Sequence, residues 1–189
     1  MINPEYLQKE NWQKLQEAFR AADFPSITLF DFFNEDFYIQ LKEEMIKLDY
    51  HHEHKLLFHS YAVAEVPDEI LNIFNSPEFL KIMSVIINKK IKIITPKAYL
   101  FSWKDYTILH DQALEELGTD LIFDFTDDWS DKAGGTIIYK DEEGNFVKLP
   151  VVGNMLAIVE RKEGVQKFLQ YVNHYGTERK RYLIFSSLK

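Results

Sequence analysis

The chain has 189 residues, 46% hydrophobic and 28% charged, with no cysteine and a net charge of −8 at pH 7. That composition excludes a disordered or collagen-like chain, a disulfide framework, a thiol nucleophile and cysteine-ligated zinc or iron–sulfur chemistry. The acidic balance also argues against nucleic acid as a partner, and no apolar run approaches the ~18 residues of a membrane span.

The opening MINPEYLQKE lacks the apolar core of a signal peptide, which predicts a soluble, cytoplasmic protein. A helix is predicted from the start: Asn3 caps it, Pro4 suits its first position, and Leu7, Leu15, Phe19 and Ala22 fall near helical spacing. Phe24 and Pro25 end it, and a short strand with Ile27 and Leu29 follows. Asn34 then caps a second helix, with Glu35 and Asp36 at its positive end and Phe37, Leu41, Met45 and Leu48 as one apolar stripe. Two more helices start at Pro67–Asp68 and at Ser76–Pro77–Glu78, the latter turning Phe79, Ile82, Met83 and Ile86 inward.

Beyond residue 90 the texture becomes β-rich, and Pro96 suggests an edge strand or a bulge. Strand-like runs recur at 106–110, 120–125, 135–140, 146–149, 154–160, 166–172 and 181–187, with a hairpin loop at Asp141–Asn145. Short strands with no helices between them indicate a β-sandwich or jelly roll. The expected fold is one α+β domain over 1–189. Its mainly helical part, 1–90, supports an antiparallel β core over 91–189.

The chain has no phosphate loop and no nucleophile elbow. The cluster His51–His52–Glu53–His54 has metal-binding residue types, but it lacks helical i,i+4 spacing, and a solvated loop is the preferred reading. His110 ends an apolar run and opens a segment, Asp111 to Asp131, with eight acids and no Lys or Arg. A histidine at a strand end beside carboxylates can seed a non-haem iron site, which takes two His and one carboxylate; a hydrogen-bonded rim histidine is the default alternative. Arg181, after Arg179 and Lys180, shares a strand face with Leu183 and Phe185. It either points inward to clamp a carboxylate with its planar fork or lies in a solvated turn.

These pieces together resemble the 2-oxoglutarate/Fe(II)-dependent oxygenases, in their prolyl-hydroxylase-like branch. The stretch Phe24–Phe33 looks like that branch's opening strand ahead of its support helix, and Asp105–Asp111 like its first metal strand. Trp129, Gly134 and Gly135 look like its Trp…Gly-Gly turn, Pro150 and Asn154 like a later strand, and Arg181–Ile184 like the final strand carrying the oxoglutarate arginine. The resemblance covers about 24–187 and implies a double-stranded β-helix, a jelly-roll variant. It also implies Fe(II) and 2-oxoglutarate as cofactors, a protein or peptide substrate modified at proline, His110 as a metal ligand and Arg181 on the cofactor carboxylate.

The sequence departs from the family's metal pattern. The carboxylate position falls on Gln112, so Asp111 serves as a ligand only if the backbone turns sharply. The distal histidine is expected in 166–168, where none exists, and His174 would lie in the turn if 166–172 and 181–187 formed a hairpin. Altering residues that merely support metal ligands costs roughly 10–100-fold in affinity, so losing two ligands costs more. The sequence therefore leaves two main readings: an oxygenase with an altered metal site, or an inactive jelly-roll binding and interaction module. A cupin-like small-molecule binder with an acidic rim is a third, disfavoured by the helical half. None of these fixes an oligomeric state.

Overall fold

A computed structural model describes residues 1–22, 24–89, 91, 96–108 and 117–188. The N-terminal helical segment is two helices, α1 (Pro4–Leu7) and α2 (Lys9–Ala21), not the continuous one expected. Gln8 between them is extended, and side chains from the next turn cap the freed carbonyls: Asn11 donates to Glu5 O at 3.0 Å and Trp12 to Tyr6 O at 2.9 Å. The remaining helices start where the sequence places them. In α3 (Glu35–Lys47) the Asn34 side chain accepts from Phe37 N at 3.0 Å. The short α4 (Asp68–Phe74) precedes α5 (Pro77–Ile87), whose Phe79, Ile82, Met83 and Ile86 are fully buried as their spacing predicts.

Strands β1 (Ser26–Leu29), β2 (His51–Lys55), β3 (His59–Glu65), β4 (Lys97–Phe101) and β5 (Tyr106–Thr107) lie among or just after the helices. The second half supplies β6 (Gly118–Asp124), β7 (Ile137–Lys140), β8 (Phe146–Lys148), β9 (Met155–Arg161), β10 (Gln166–Leu169) and β11 (Arg181–Leu188). One antiparallel sheet runs β1-β9-β6-β11-β4-β3-β2, with β5 paired to β3; a smaller sheet runs β10-β7-β8. The mixed fold is thus an antiparallel jelly roll backed by helices.

Three local expectations are corrected. His51–His54 is not a loop but strand β2, because 59–65 offers it a half-buried partner, with His52 opposite Ala62 and His54 opposite Ser60. Pro96 marks neither an edge strand nor a bulge: it immediately precedes β4, which pairs with β11 on one side and β3 on the other. The segments at 166–169 and 181–188 form no hairpin; β10 pairs with β7, whereas β11 lies in the other sheet between β4 and β6. His174 sits instead, exposed, at the start of a 3₁₀ turn, His174–Gly176, its ring tilted 36° against that of Tyr175.

Strand alternation divides the interior into two cores. Leu121 and Phe123 of β6, Leu156 and Ile158 of β9, and Tyr182 and Ile184 of β11 face the helices. Phe123 packs against Phe33 at 5.4 Å and Phe74 at 5.2 Å, so each layer closes on an aromatic contact. The alternate residues, Ile122, Ala157, Val159 and Leu183, face the smaller sheet with Ile137, Tyr139 and Leu169. That second core is the interior of the jelly roll. It is where Asp120, Asp124, Arg161 and Arg181 are buried.

Candidate functional site in the jelly-roll interior

The alternation that sends Ile122 inward also carries Asp120 and Asp124, which are 0% and 1% exposed. Two buried carboxylates in an apolar core need partners, and each has them. Asp124 accepts from Arg181 Nη2 at 2.8 Å and Nε at 3.2 Å, and from Thr126 N at 2.9 Å. The remaining Arg181 nitrogen, Nη1, donates to the Gly135 carbonyl, and the side chain is fully buried. Burial pushes the Asp124 carboxyl above its ordinary range, against the opposing pull of the Arg181 guanidinium.

Four residues along β6, about 13 Å away at strand rise, Asp120 anchors a second cluster. Arg161 Nε donates to it at 2.9 Å, Lys167 Nζ at 3.2 Å, Tyr139 Oη at 2.8 Å and Ser187 Oγ at 2.9 Å. Burial works to raise this carboxyl too. Lys167 and Arg161, followed by the hydrogen bonds from Tyr139 and Ser187, outweigh it and hold Asp120 below the usual carboxylate range. Strands β6, β7, β9, β10 and β11 all contribute, so the cluster ties the two sheets together.

The turn between β6 and β7 holds Arg181's second partner, Gly135. Trp129 Nε1 donates to Gly134 O at 2.8 Å, and Gly135 adopts φ +70° against the indole. A Cβ on Gly135 would lie 2.7 Å from that ring, so the position admits only glycine. Asn154, also at positive φ, exchanges two 2.9 Å hydrogen bonds with the backbone of Phe33 and so fastens the β1–α3 connection to β9.

Of the residues expected at a site, Arg181 points inward, on one face with Leu183 and Phe185 as alternation predicts. His110, Asp111 and Gln112 lie outside the described residues. The expected acidic rim is in part no rim, since Asp120 and Asp124 are interior; Asp128 and Asp131 are exposed. Among the described residues, no three His, Asp or Glu side chains converge as a metal-binding group. The sequence reading missed the Asp120 cluster, although charged residues at alternate positions of an apolar run, as in GTDLIFD, signal it.

No protein-family model matches the chain. Solved structures do match. A 2OG-Fe(II) oxygenase family oxidoreductase from Burkholderia pseudomallei superposes with TM-score 0.75 at 9% identity, over 96% of this chain and 92% of that one. A prolyl-4-hydroxylase from Pseudomonas putida gives 0.71 at 10% identity, over 95% and 98%. A prolyl hydroxylase from Trichoplax adhaerens, in complex with a hypoxia inducible factor degradation-domain peptide, gives 0.73 at 10%, over 96% and 93%. The chain therefore has the fold of the 2-oxoglutarate/Fe(II) oxygenases and prolyl hydroxylases.

Proposed function

We propose that this chain is a dioxygenase-fold protein with an altered metal site, and that it works by binding a protein or peptide partner rather than by turning over 2-oxoglutarate. Arg181 carries the reading. The resemblance gives this arginine to the cofactor's carboxylate, but Asp124 already fills two corners of its fork and the Gly135 carbonyl takes the third. A carboxylate entering on the Nε–Nη2 edge would have to displace Asp124 and strand a buried charge, which costs about 3–5 kcal/mol, and the side chain as a whole is fully buried. The described residues thus do not fit 2-oxoglutarate bound on the edge of Arg181 that Asp124 occupies. Lys167 supports the same reading. It stands within 166–168, where a histidine ligand is implied, and an ammonium held at Asp120 opposes a divalent cation beside it.

A peptide partner is favoured by the likeness to the peptide-bound Trichoplax enzyme and by exposed aromatic side chains at Trp103 and Tyr175. The test is succinate formation from 2-oxoglutarate with Fe(II), ascorbate and proline-containing peptides. No succinate above the protein-free background is expected. Succinate that appears with the wild type and disappears in His110→Ala would overturn the proposal.

A further inference from the structure

Strand β2 places His52 and His54 on one face, two residues and about 6.6 Å apart, and sends His51 and Glu53 to the other. Both histidines lie on an exposed strand at one end of the large sheet, with rings nearly parallel (16°) and centroids 6.4 Å apart. Their cross-strand neighbours, Ala62 and Ser60, are small, so no bulky side chain stands opposite them on that face.

His52 is also oriented from below. Its Nε2 lies 3.2 Å from Ser60 Oγ and 3.4 Å from Oδ1 of Asp105, a carboxylate only 3% exposed. Ser60 spends its own hydroxyl proton on Asp105, at 2.7 Å, so both groups facing Nε2 are acceptors. Nε2 therefore carries the proton, and Nδ1 keeps its lone pair for a cation. A buried carboxylate that fixes the tautomer and ring of a histidine is the support that metal-ligating imidazoles ordinarily have. Asp105 is itself held by Ser102 N at 2.8 Å and Ser102 Oγ at 3.1 Å, so the support is rigid.

We propose that His52 and His54 form a two-imidazole chelate for a late first-row divalent cation, with copper(II) bound ahead of nickel(II) and zinc(II). Neutral imidazole suits these ions, and their affinities follow the usual order for nitrogen ligands. Two protein donors leave the remaining coordination positions to water. The exposed face allows this. The site is separate from the jelly-roll interior and does not depend on the function proposed above.

The test is a copper(II) titration of tag-free full-length protein at pH 7.5, followed by calorimetry and by the nitrogen hyperfine pattern in electron paramagnetic resonance. Wild type, His52→Ala, His54→Ala, His51→Ala and His110→Ala are compared, with thermal unfolding confirming that each is folded. One equivalent with two nitrogen ligands is expected. Affinity should fall at least tenfold in His52→Ala and in His54→Ala, and stay within twofold in the other two variants. Unchanged affinity in either of the first two, or an equal loss in His51→Ala, would overturn the proposal. Loss in His110→Ala alone would do the same and move the copper to a site around that residue.

Discussion

Asp124 and Arg181 are each fully buried, with neither side chain exposed to solvent. Removing one of them leaves the other uncompensated. Arg181→Met should therefore destabilise the fold by about 3–5 kcal/mol, while Asp124→Leu with Arg181→Met, which removes both charges, should recover most of that. Denaturant unfolding of the two single variants and the double variant checks the coupling.

The two carboxylates also predict opposite pH signatures. Asp120 titrates below its unfolded value, so its contribution is fully present above about pH 4 and is lost as pH falls through the depressed folded value. The stability advantage of wild type over Asp120→Asn should therefore shrink on acidification. Asp124 titrates above its unfolded value, so its stabilising term is greatest at low pH and declines as pH rises through the raised folded value. The wild-type advantage over Asp124→Asn should shrink in that direction instead. Urea midpoints between pH 3 and 7 separate the two; parallel profiles would contradict the assignment.

Among the elements, those bounded by a capping side chain and filled by periodic apolar residues were legible in the sequence. Asn34 and Ser76 accept from the backbone three residues on, and the stripes they introduce are the ones that face Phe123 and its neighbours. Strand β2 was not legible, since HHEHK has no apolar alternation and its pairing depends on a partner beginning four residues later. Sheet membership was equally hidden for β10 and β11, because adjacency along the chain suggests pairing and only tertiary packing sends them to different sheets. Asn154 shows how a single residue joins elements. Its side chain acts as a strand's backbone toward Phe33, so Asn154→Ala forfeits two hydrogen bonds and leaves two backbone groups without those partners. A loss of about 1–3 kcal/mol is expected, with early hydrogen exchange at Phe33 as the local readout.

At the scale of the whole molecule, a jelly roll backed by helices is shared with enzymes whose sequences are about nine-tenths different. What is shared is the fold; in this chain the alternation of apolar residues builds the two cores. At the inward positions this chain has Asp124 on Arg181 and Lys167 on Asp120. Alternation indicated that Arg181 could face inward, but not that an acid from β6 would meet it. That pairing depends on β11 lying beside β6 in register, with Leu183 opposite Asp124.

The most direct measurement is a thermal-shift titration of metal-stripped protein with Mn(II), with 2-oxoglutarate, and with both, alongside His110→Ala. A ligand at one hundred times its dissociation constant would add about 2.7 kcal/mol, on the order of 5–10 °C for a chain of this size. An interior closed by its own ion pairs predicts no shift at millimolar concentrations of either ligand or of both. A cooperative rise that needs both ligands and vanishes in His110→Ala would contradict it, and would mean that Asp124 yields Arg181 to the cofactor.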